Sequence, residues 1–342
     1  MNEQRTSIED PVIQTTMKAM VRDRYGTAAD VLAMRDVPVP EPGEGEVLVR
    51  VHSSSISAME WHLMVGKPYL VRPSFGLTPR SPILGADVSG TVVGTGPNVD
   101  RLAIGDQVFG AIDAGAYAEF AVGSQDHLVA KPQNVGFAEA GAVGIAGLTA
   151  LQGLRDVLAV GGGDRLLING ASGGVGTYAI QVGKTLGAEV IAVCSTRNVD
   201  QAHELGADHV IDYQKTDIST IPTRFDAFLD IAGTQPVRDS ARMLTSRGRY
   251  VMVGGAKGDW AGPLLRLLRA TAVFAVSDKK MGNFVAASRS DDLVVLGEML
   301  ASGQVRSVIE DTFPLAELAI PLDRQGAFHA RAKTSILVEG TF

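Results

Sequence analysis

The chain of 342 residues has one cysteine, Cys194. No disulfide can close within it, and no zinc site built from several cysteines can form. Basic residues are in the minority, 31 Lys and Arg against 38 Asp and Glu. The positive footprint of a nucleic-acid binder is therefore missing. Long apolar runs are missing too. The longest, Ala140 to Leu154, is broken by Gly141, Gly144, Gly147 and Gly153, and it is short for a membrane span. Residues 1–16, MNEQRTSIEDPVIQTT, are polar and mixed in charge, without the apolar centre of a secretory signal. They are expected to form a tail outside the fold, and the chain is expected to act in the cytoplasm.

Glycine is what the chain has in excess, 39 residues with no Gly-X-Y period. That excess points to tight turns and close backbone approaches. Hydrophobic residues at 45% and charged residues at 20% match a folded globular protein and exclude wholesale disorder. The length suggests two domains, at about 150 residues each.

Residues 17–136 read as β-rich: MKAMVRD, EVLVRVHSSSI, VSGTVVGTG, IGDQVFGAI, AYAEFAV and HLVAKP are short apolar or alternating runs set between Gly and Pro turns. The texture changes at residue 137. FAEAGAVGIAGLTALQGLRDVL reads as a helix, and strand-like and helix-like segments then alternate through GRYVMVGG. Such alternation predicts an α/β domain with a doubly wound parallel sheet over residues 137–277. ATAVFAV, Ala270 to Val276, reads as one more strand, exposed and suited to edge pairing in a homodimer. Residues 278–342 hold a helix, IEDTFPL and a terminal TSILVEG, expected to return to the first domain.

The segment Arg165 to Gly176, RLLINGASGGVG, is the strongest local signal. An apolar strand enters a glycine-dense turn that opens a helix, the context of a dinucleotide-binding fingerprint. Ala171 takes the first glycine place, and Gly173 and Gly176 hold the others. Ser172, Gly173, Gly174, Val175 and Gly176 would present amides to a pyrophosphate at the helix N-terminus. An acid that seeks the ribose hydroxyl should end the second strand, yet none occurs from 190 to 199. Ser195, Thr196 and Arg197 stand there instead, and an Arg fork suits a 2′-phosphate. The cofactor expected is NADPH.

LGADVSGTVVGTGPNV, IGDQVFG, GLTAL, NGASGGVG and LGADHVIDY together resemble the medium-chain dehydrogenase/reductase superfamily. Within it the chain is similar to the zinc-independent, quinone oxidoreductase-like branch. The resemblance runs from Met17 to Phe342. It implies a GroES-like β-rich catalytic domain made from residues 17–136 and 278–342, and a Rossmann domain over 137–277. It also implies a homodimer. Zinc-dependent members place a Cys ligand where this chain has Ser57, and a His where it has Ala86. Neither is a usual zinc ligand, so no metal is expected. Without a Lewis acid, hydride transfer favours acceptors that are already electrophilic. A quinone or an α,β-unsaturated carbonyl is the substrate expected, its developing charge held by hydrogen-bond donors.

The resemblance also implies roles for single residues. Ser57, Ala58 and Glu60 replace the branch's usual Asn, Pro and Asp, so Ser57 offers a shorter group to the substrate. His62 and Tyr69 are candidate proton donors. Thr149 matches a position near the nicotinamide. Tyr213 matches one at the adenosine phosphate end. Asp230, Gly233 and Gly254 close strands that line the cofactor cleft, and Phe274 to Ser277 match a segment that meets the carboxamide. Ala330-Arg331-Ala332-Lys333 departs from the usual Ala-Arg-Gly-Lys. Two other functions share the fold: an enoyl reductase of a biosynthetic route, and an idle NADPH-binding protein.

Overall fold

The N-terminal third is built from short strands. β1 (Thr16–Val21) and β2 (Ala33–Pro38) pair antiparallel around a one-turn helix, α1 (Ala28–Val31). β3 (Glu46–Ser55) leads into α2 (Ala58–Val65). β4 (Asp87–Thr95), β5 (Gln107–Ala111), β6 (Phe120–Ser124) and β7 (Leu128–Ala130) follow. Next comes α3 (Phe137–Gln152), continued by a wider turn over Gly153–Val157. Then strands and helices alternate: β8 (Arg165–Asn169), α4 (Gly174–Thr185), β9 (Glu189–Cys194), α5 (Val199–Glu204), β10 (His209–Asp212) and β11 (Phe225–Asp230). After these come α6 (Val237–Arg242), β12 (Leu244–Met252), α7 (Gly262–Ala275), β13 (Lys280–Gly282) and α8 (Ser290–Ala301). β14 (Ile309–Pro314), α9 (Ala319–Gly326) and β15 (Lys333–Leu337) complete the chain. The structure is a computed structural model and describes residues 15–69, 72, 76–253, 262–326 and 331–338.

Among the described residues, six strands form a parallel sheet in the order β10–β9–β8–β11–β12–β13. Helices cover both faces of such a sheet, so its strands run apolar without alternation. Leu166, Leu167 and Ile168 of β8, and Ala227, Phe228 and Leu229 of β11, are fully buried accordingly. The winding reverses between β8 and β11, and a crevice opens at their carboxyl ends.

The second sheet runs β14–β15–β3–β4–β5–β7, with β6 added on β3. β15 lies antiparallel to β3, Ser335 opposite Ser55. The last strand thus returns to the first domain, as TSILVEG suggested. Pro321 sits in the first turn of α9, where a missing N–H costs no intrahelical bond.

α3 is apolar on all sides because it is covered on all sides. Its Val143, Leu148 and Leu151 share one core with Phe109, Ala111 and Val129 of the antiparallel sheet and with Leu166, Ile168 and Leu229 of the parallel one. Phe137–Val157 is long and apolar enough to cross a membrane, yet 78% of its most apolar window is buried inside the protein.

Two expectations need correction. Residues 270–275 are not a strand but the end of α7. Arg266, Ala270 and Phe274, spaced by four, form its buried face. That helical period is visible only when the window reaches upstream of ATAVFAV. The parallel sheet also continues past Ser277, since β13 pairs with β12. The edge strand is therefore β13.

Candidate active site

The glycine loop sits at the switch point. Gly170 turns at φ +92°, and Gly173 precedes α4 with no side chain capping the helix. An α-helix leaves its first amides without internal partners, so Gly174, Val175 and Gly176 present theirs to the crevice. Gly176 has no alternative here: a Cβ would lie 2.3 Å from the Gly170 oxygen and 2.6 Å from Ala171 backbone atoms. Among the described residues the only neighbour that a Cβ at Gly173 would meet is the Gly170 oxygen, at 3.6 Å. That open face is room for a phosphate, which a side chain would fill. Ala171 is fully buried, its N–H on the Val193 oxygen at 3.1 Å. Ser172 accepts the Ala332 N–H at 2.7 Å, so the end of the chain clips the loop in place. A dinucleotide fits this cradle.

At the end of β9, Ser195 Oγ accepts from Asn198 Nδ2 at 3.0 Å, and Arg197 is exposed in the following turn. The nearest acid comes from the neighbouring strand. Asp212 ends β10 and is placed opposite Cys194. Its carboxylate accepts from Thr196 Oγ1 at 2.6 Å and from the Gln214 N–H at 3.1 Å, and it pairs with Lys215 at 3.3 Å. The Thr196 hydroxyl holds that carboxyl below the usual carboxylate range. Asp212 is thus committed to this turn. Tyr213 is exposed beside it, its N–H on the Cys194 oxygen at 3.1 Å.

Asp230 ends β11 fully buried. It accepts from Arg266 at 2.7 Å, Tyr250 Oη at 2.8 Å, Asn169 Nδ2 at 2.8 Å and the Gly233 N–H at 3.0 Å. It ties three elements and the Gly233 turn together, and offers nothing to a ligand. Phe274, expected at the carboxamide, is buried and stacks on Tyr250 at 5.0 Å between ring centres. Ser277 caps the same helix end, its Oγ on the Phe274 oxygen at 3.0 Å. Both side chains are thus engaged at the end of α7. Gly254 lies outside the described residues.

A second group of polar contacts gathers at the start of α2. Ser57 is its N-cap and Glu60 its N3 residue, in a reciprocal capping box. Glu60 Oε2 accepts the Ser57 N–H at 2.8 Å and lies in a short contact with Ser57 Oγ. Glu60 Oε1 accepts the Ala86 N–H at 3.3 Å. Next to it, Asp87 takes Lys333 Nζ at 3.0 Å, the Ile145 N–H at 2.6 Å and the Ser55 hydroxyl. Lys333 Nζ also donates to the Ile56 oxygen at 3.1 Å. The Lys333 stem passes 3.0 Å from where a Cβ on Gly174 would be. The Lys333 side chain therefore lies against the glycine loop by its stem and holds the residue before Ser57 by its ammonium.

Thr149 stands one turn after Ile145 in α3, its Oγ1 on the Ile145 oxygen at 2.7 Å. His62 Nδ1 lies 3.2 Å from the Lys67 carbonyl. A carbonyl only accepts, so Nδ1 carries the hydrogen and Nε2 is left as an acceptor. Burial pushes the imidazole below its usual range. In this tautomer the neutral ring has Nε2 as an acceptor, and the proton expected of it would come from the charged imidazolium. Tyr69 is partly buried, with Lys67 Nζ 5.6 Å and Arg72 Cζ 5.7 Å from its ring centre. Among the described residues no group of three or more His, Cys, Asp or Glu is placed to hold a metal ion. Cys194 is buried, and burial raises its thiol to about 11.

Sequence reasoning missed the Asp87–Lys333 pair, the Asp212 turn and the Asp230–Arg266–Tyr250 triad. Lys333 did carry a signal: a cation opening the apolar run TSILV, on a strand with no exposed face to spend it on.

Two family descriptions match the chain: an alcohol dehydrogenase GroES-like domain over residues 43–138, and a zinc-binding dehydrogenase over residues 205–334. A chloroplastic quinone oxidoreductase of Triphysaria versicolor is 32% identical over 315 residues, 88% of this chain and 92% of the relative. A trans-enoyl reductase of Aspergillus terreus is 31% identical over 360 residues, 96% of this chain and 97% of the relative. The solved quinone oxidoreductase of Coxiella burnetii matches with a TM-score of 0.85 and 30% identity, covering 95% of this chain and all of its own.

Proposed function

Because this chain belongs to the zinc-independent, quinone oxidoreductase-like branch of the medium-chain dehydrogenase/reductase superfamily, we propose that it reduces quinones or α,β-unsaturated carbonyls with NADPH. The observation that carries the reading is the glycine loop at the switch point, against which the Lys333 stem packs while its ammonium holds the Ile56 carbonyl. The next residue, Ser57, carries a hydroxyl at the place where zinc-dependent members put a thiolate. When bound, the reduced nicotinamide supplies hydride. The protein binds and orients it, excludes water and stabilises charge on the acceptor oxygen.

Ala171 to Gly176 would hold the pyrophosphate, with Thr149, Tyr213 and Gly233 bordering the cleft. Ser195, Thr196 and Arg197 would take the 2′-phosphate. Asp212 does not oppose this role, because Thr196, Gln214 and Lys215 already use its oxygens. Ser57 and Tyr69 are the hydroxyl donors for the acceptor.

The trans-enoyl reductase relative favours a second reading, reduction of the C=C bond of a biosynthetic enoyl substrate. One assay decides between them. NADPH oxidation is followed with a quinone, a 2-enone and a plain ketone, with chelator present and NADH in parallel. Turnover of the quinone or enone with NADPH preferred is expected, and the ratio of the two ranks the readings. Chelator-sensitive turnover of the ketone would overturn both.

We also infer a homodimer. β13 ends the parallel sheet. Beside it Leu265, Leu268, Val276 and Val285 are 49%, 58%, 88% and 87% exposed, an apolar face of the kind that joins subunits. Sedimentation at micromolar concentration should give twice the chain mass, and a monomer would refute the assignment.

A further inference from the structure

We propose that Glu60 holds the proton that Ser57 passes to the acceptor oxygen, the two residues forming a short relay out of the protein interior. The proposal rests on the reductase reading and adds a residue to it.

A capping box explains why a side chain reaches back from the N3 position, but not why that side chain is a buried carboxyl. Gln serves the same cap, and such glutamates ordinarily stand in water. Glu60 is 2% exposed. The charged and titratable groups that face it are few. Asp87 comes from β4, Lys333 from β15 and Tyr117 from the segment before β6, and His62 lies on its own helix. The Tyr117 hydroxyl is spent on the Ser55 oxygen at 3.1 Å. Among the described residues the cation that faces it, Lys333, is paired with Asp87. A second buried negative charge would have no counter-ion, and such a charge is costly enough that the group keeps its proton instead. Burial first, and Asp87 second, push the Glu60 carboxyl above the usual carboxylate range.

The proton decides what Ser57 can do. With Glu60 ionised, the Ser57 hydroxyl donates back to Oε2 and offers the cleft no hydrogen. With Glu60 protonated, its O–H points at Ser57 Oγ, which also accepts the Met59 N–H at 3.2 Å. The Ser57 hydrogen is then free to point outward. Ser57 is partly exposed while Glu60 is sealed, so Ser57 is the outer end of the relay.

The reaction balances. Hydride from the reduced nicotinamide cofactor enters the conjugated acceptor, which gains two electrons as the cofactor is oxidised. The Ser57 O–H bond breaks as its proton joins the acceptor oxygen. The Glu60 proton moves to Ser57 Oγ in the same sequence, leaving a carboxylate. Water in the emptied cleft returns a proton along the same two oxygens.

The test starts on cofactor-free protein, by infrared difference spectroscopy across a pH titration. A carboxylic acid C=O band that persists above the ordinary glutamate range, and vanishes in Glu60→Gln, supports the proposal. Absence of the band in the wild type overturns it. In kinetics, Glu60→Gln should lower kcat by roughly 10²-fold with KM little changed, and should remove the alkaline fall of the wild-type profile. Glu60→Asp should regain part of the rate. A Glu60→Gln enzyme with wild-type kcat and pH profile overturns the relay. Wild-type silence toward both acceptors, with the band present, counts against the acceptor class alone. The band still places the proton on Glu60.

Discussion

Lys333 and Asp87, 246 residues apart in sequence, form an ion pair of 3.0 Å in which the side chains are 1% and 0% exposed. The pair joins β15 to β4, an inner strand of the antiparallel sheet. The Lys333 stem runs against Gly174 of the glycine loop.

Removing one partner of a buried pair leaves the other charge without compensation. Lys333→Met should therefore lower unfolding stability by about 3–5 kcal/mol. Lys333→Met combined with Asp87→Asn should recover part of that loss. Urea denaturation at constant m-value measures both. An unchanged midpoint in the single variant would mean that Asp87 is adequately held by Ser55 and Ile145.

Arg197→Ala tests cofactor choice. A hydrogen bond to a charged group contributes about 1.5–3 kcal/mol. KM for NADPH should rise about 10- to 100-fold while KM for NADH stays constant. An equal rise for both cofactors would make Arg197 a general contact and remove it from phosphate discrimination.

Gly176→Ala tests the loop. The new methyl would stand 2.3 Å from the Gly170 oxygen, and two backbone segments cannot give way cheaply. Stability should fall by about 1–3 kcal/mol, and calorimetric titration should show weaker dinucleotide binding. Tight binding in a stable Gly176→Ala variant would mean that the loop has a second conformation.

The pH dependence of stability reports Glu60 separately from catalysis. Its folded carboxyl sits above the usual range, pushed there mainly by burial. In the window between the unfolded and folded values, the native state binds more protons than the unfolded chain. Stability from this group is complete below the unfolded value and is lost as pH rises through the folded one. Wild type should therefore lose stability relative to Glu60→Gln over that window. A difference that stays flat with pH would contradict the assignment.

Much of this was legible from residue order. RLLING followed by GVG placed the cradle, because a strand, a tight turn and a helix opening are all local. The closing strand TSILVEG was legible as a short apolar run at the end of the chain. α7 was not: the single polar residue of ATAVFAV, Thr271, cannot show a period, and its partners Arg266 and Tyr250 are distant or upstream. The Asp87–Lys333 pair was equally hidden, since only tertiary folding brings its members together. Ser57 showed its chemistry but not its cap, and His62 showed a titratable ring without the carbonyl that fixes its tautomer.

α3 fills one core that both sheets share, and this has a consequence for anyone dividing the molecule. Cut on either side of residues 137–157, one fragment keeps a bare apolar groove and the other an unshielded greasy rod. Neither half is a separable module. Heating should melt the chain in one step, with calorimetric and van't Hoff enthalpies in agreement. Chimeras with relatives should survive only when this helix travels with partners that already fit both of its sides.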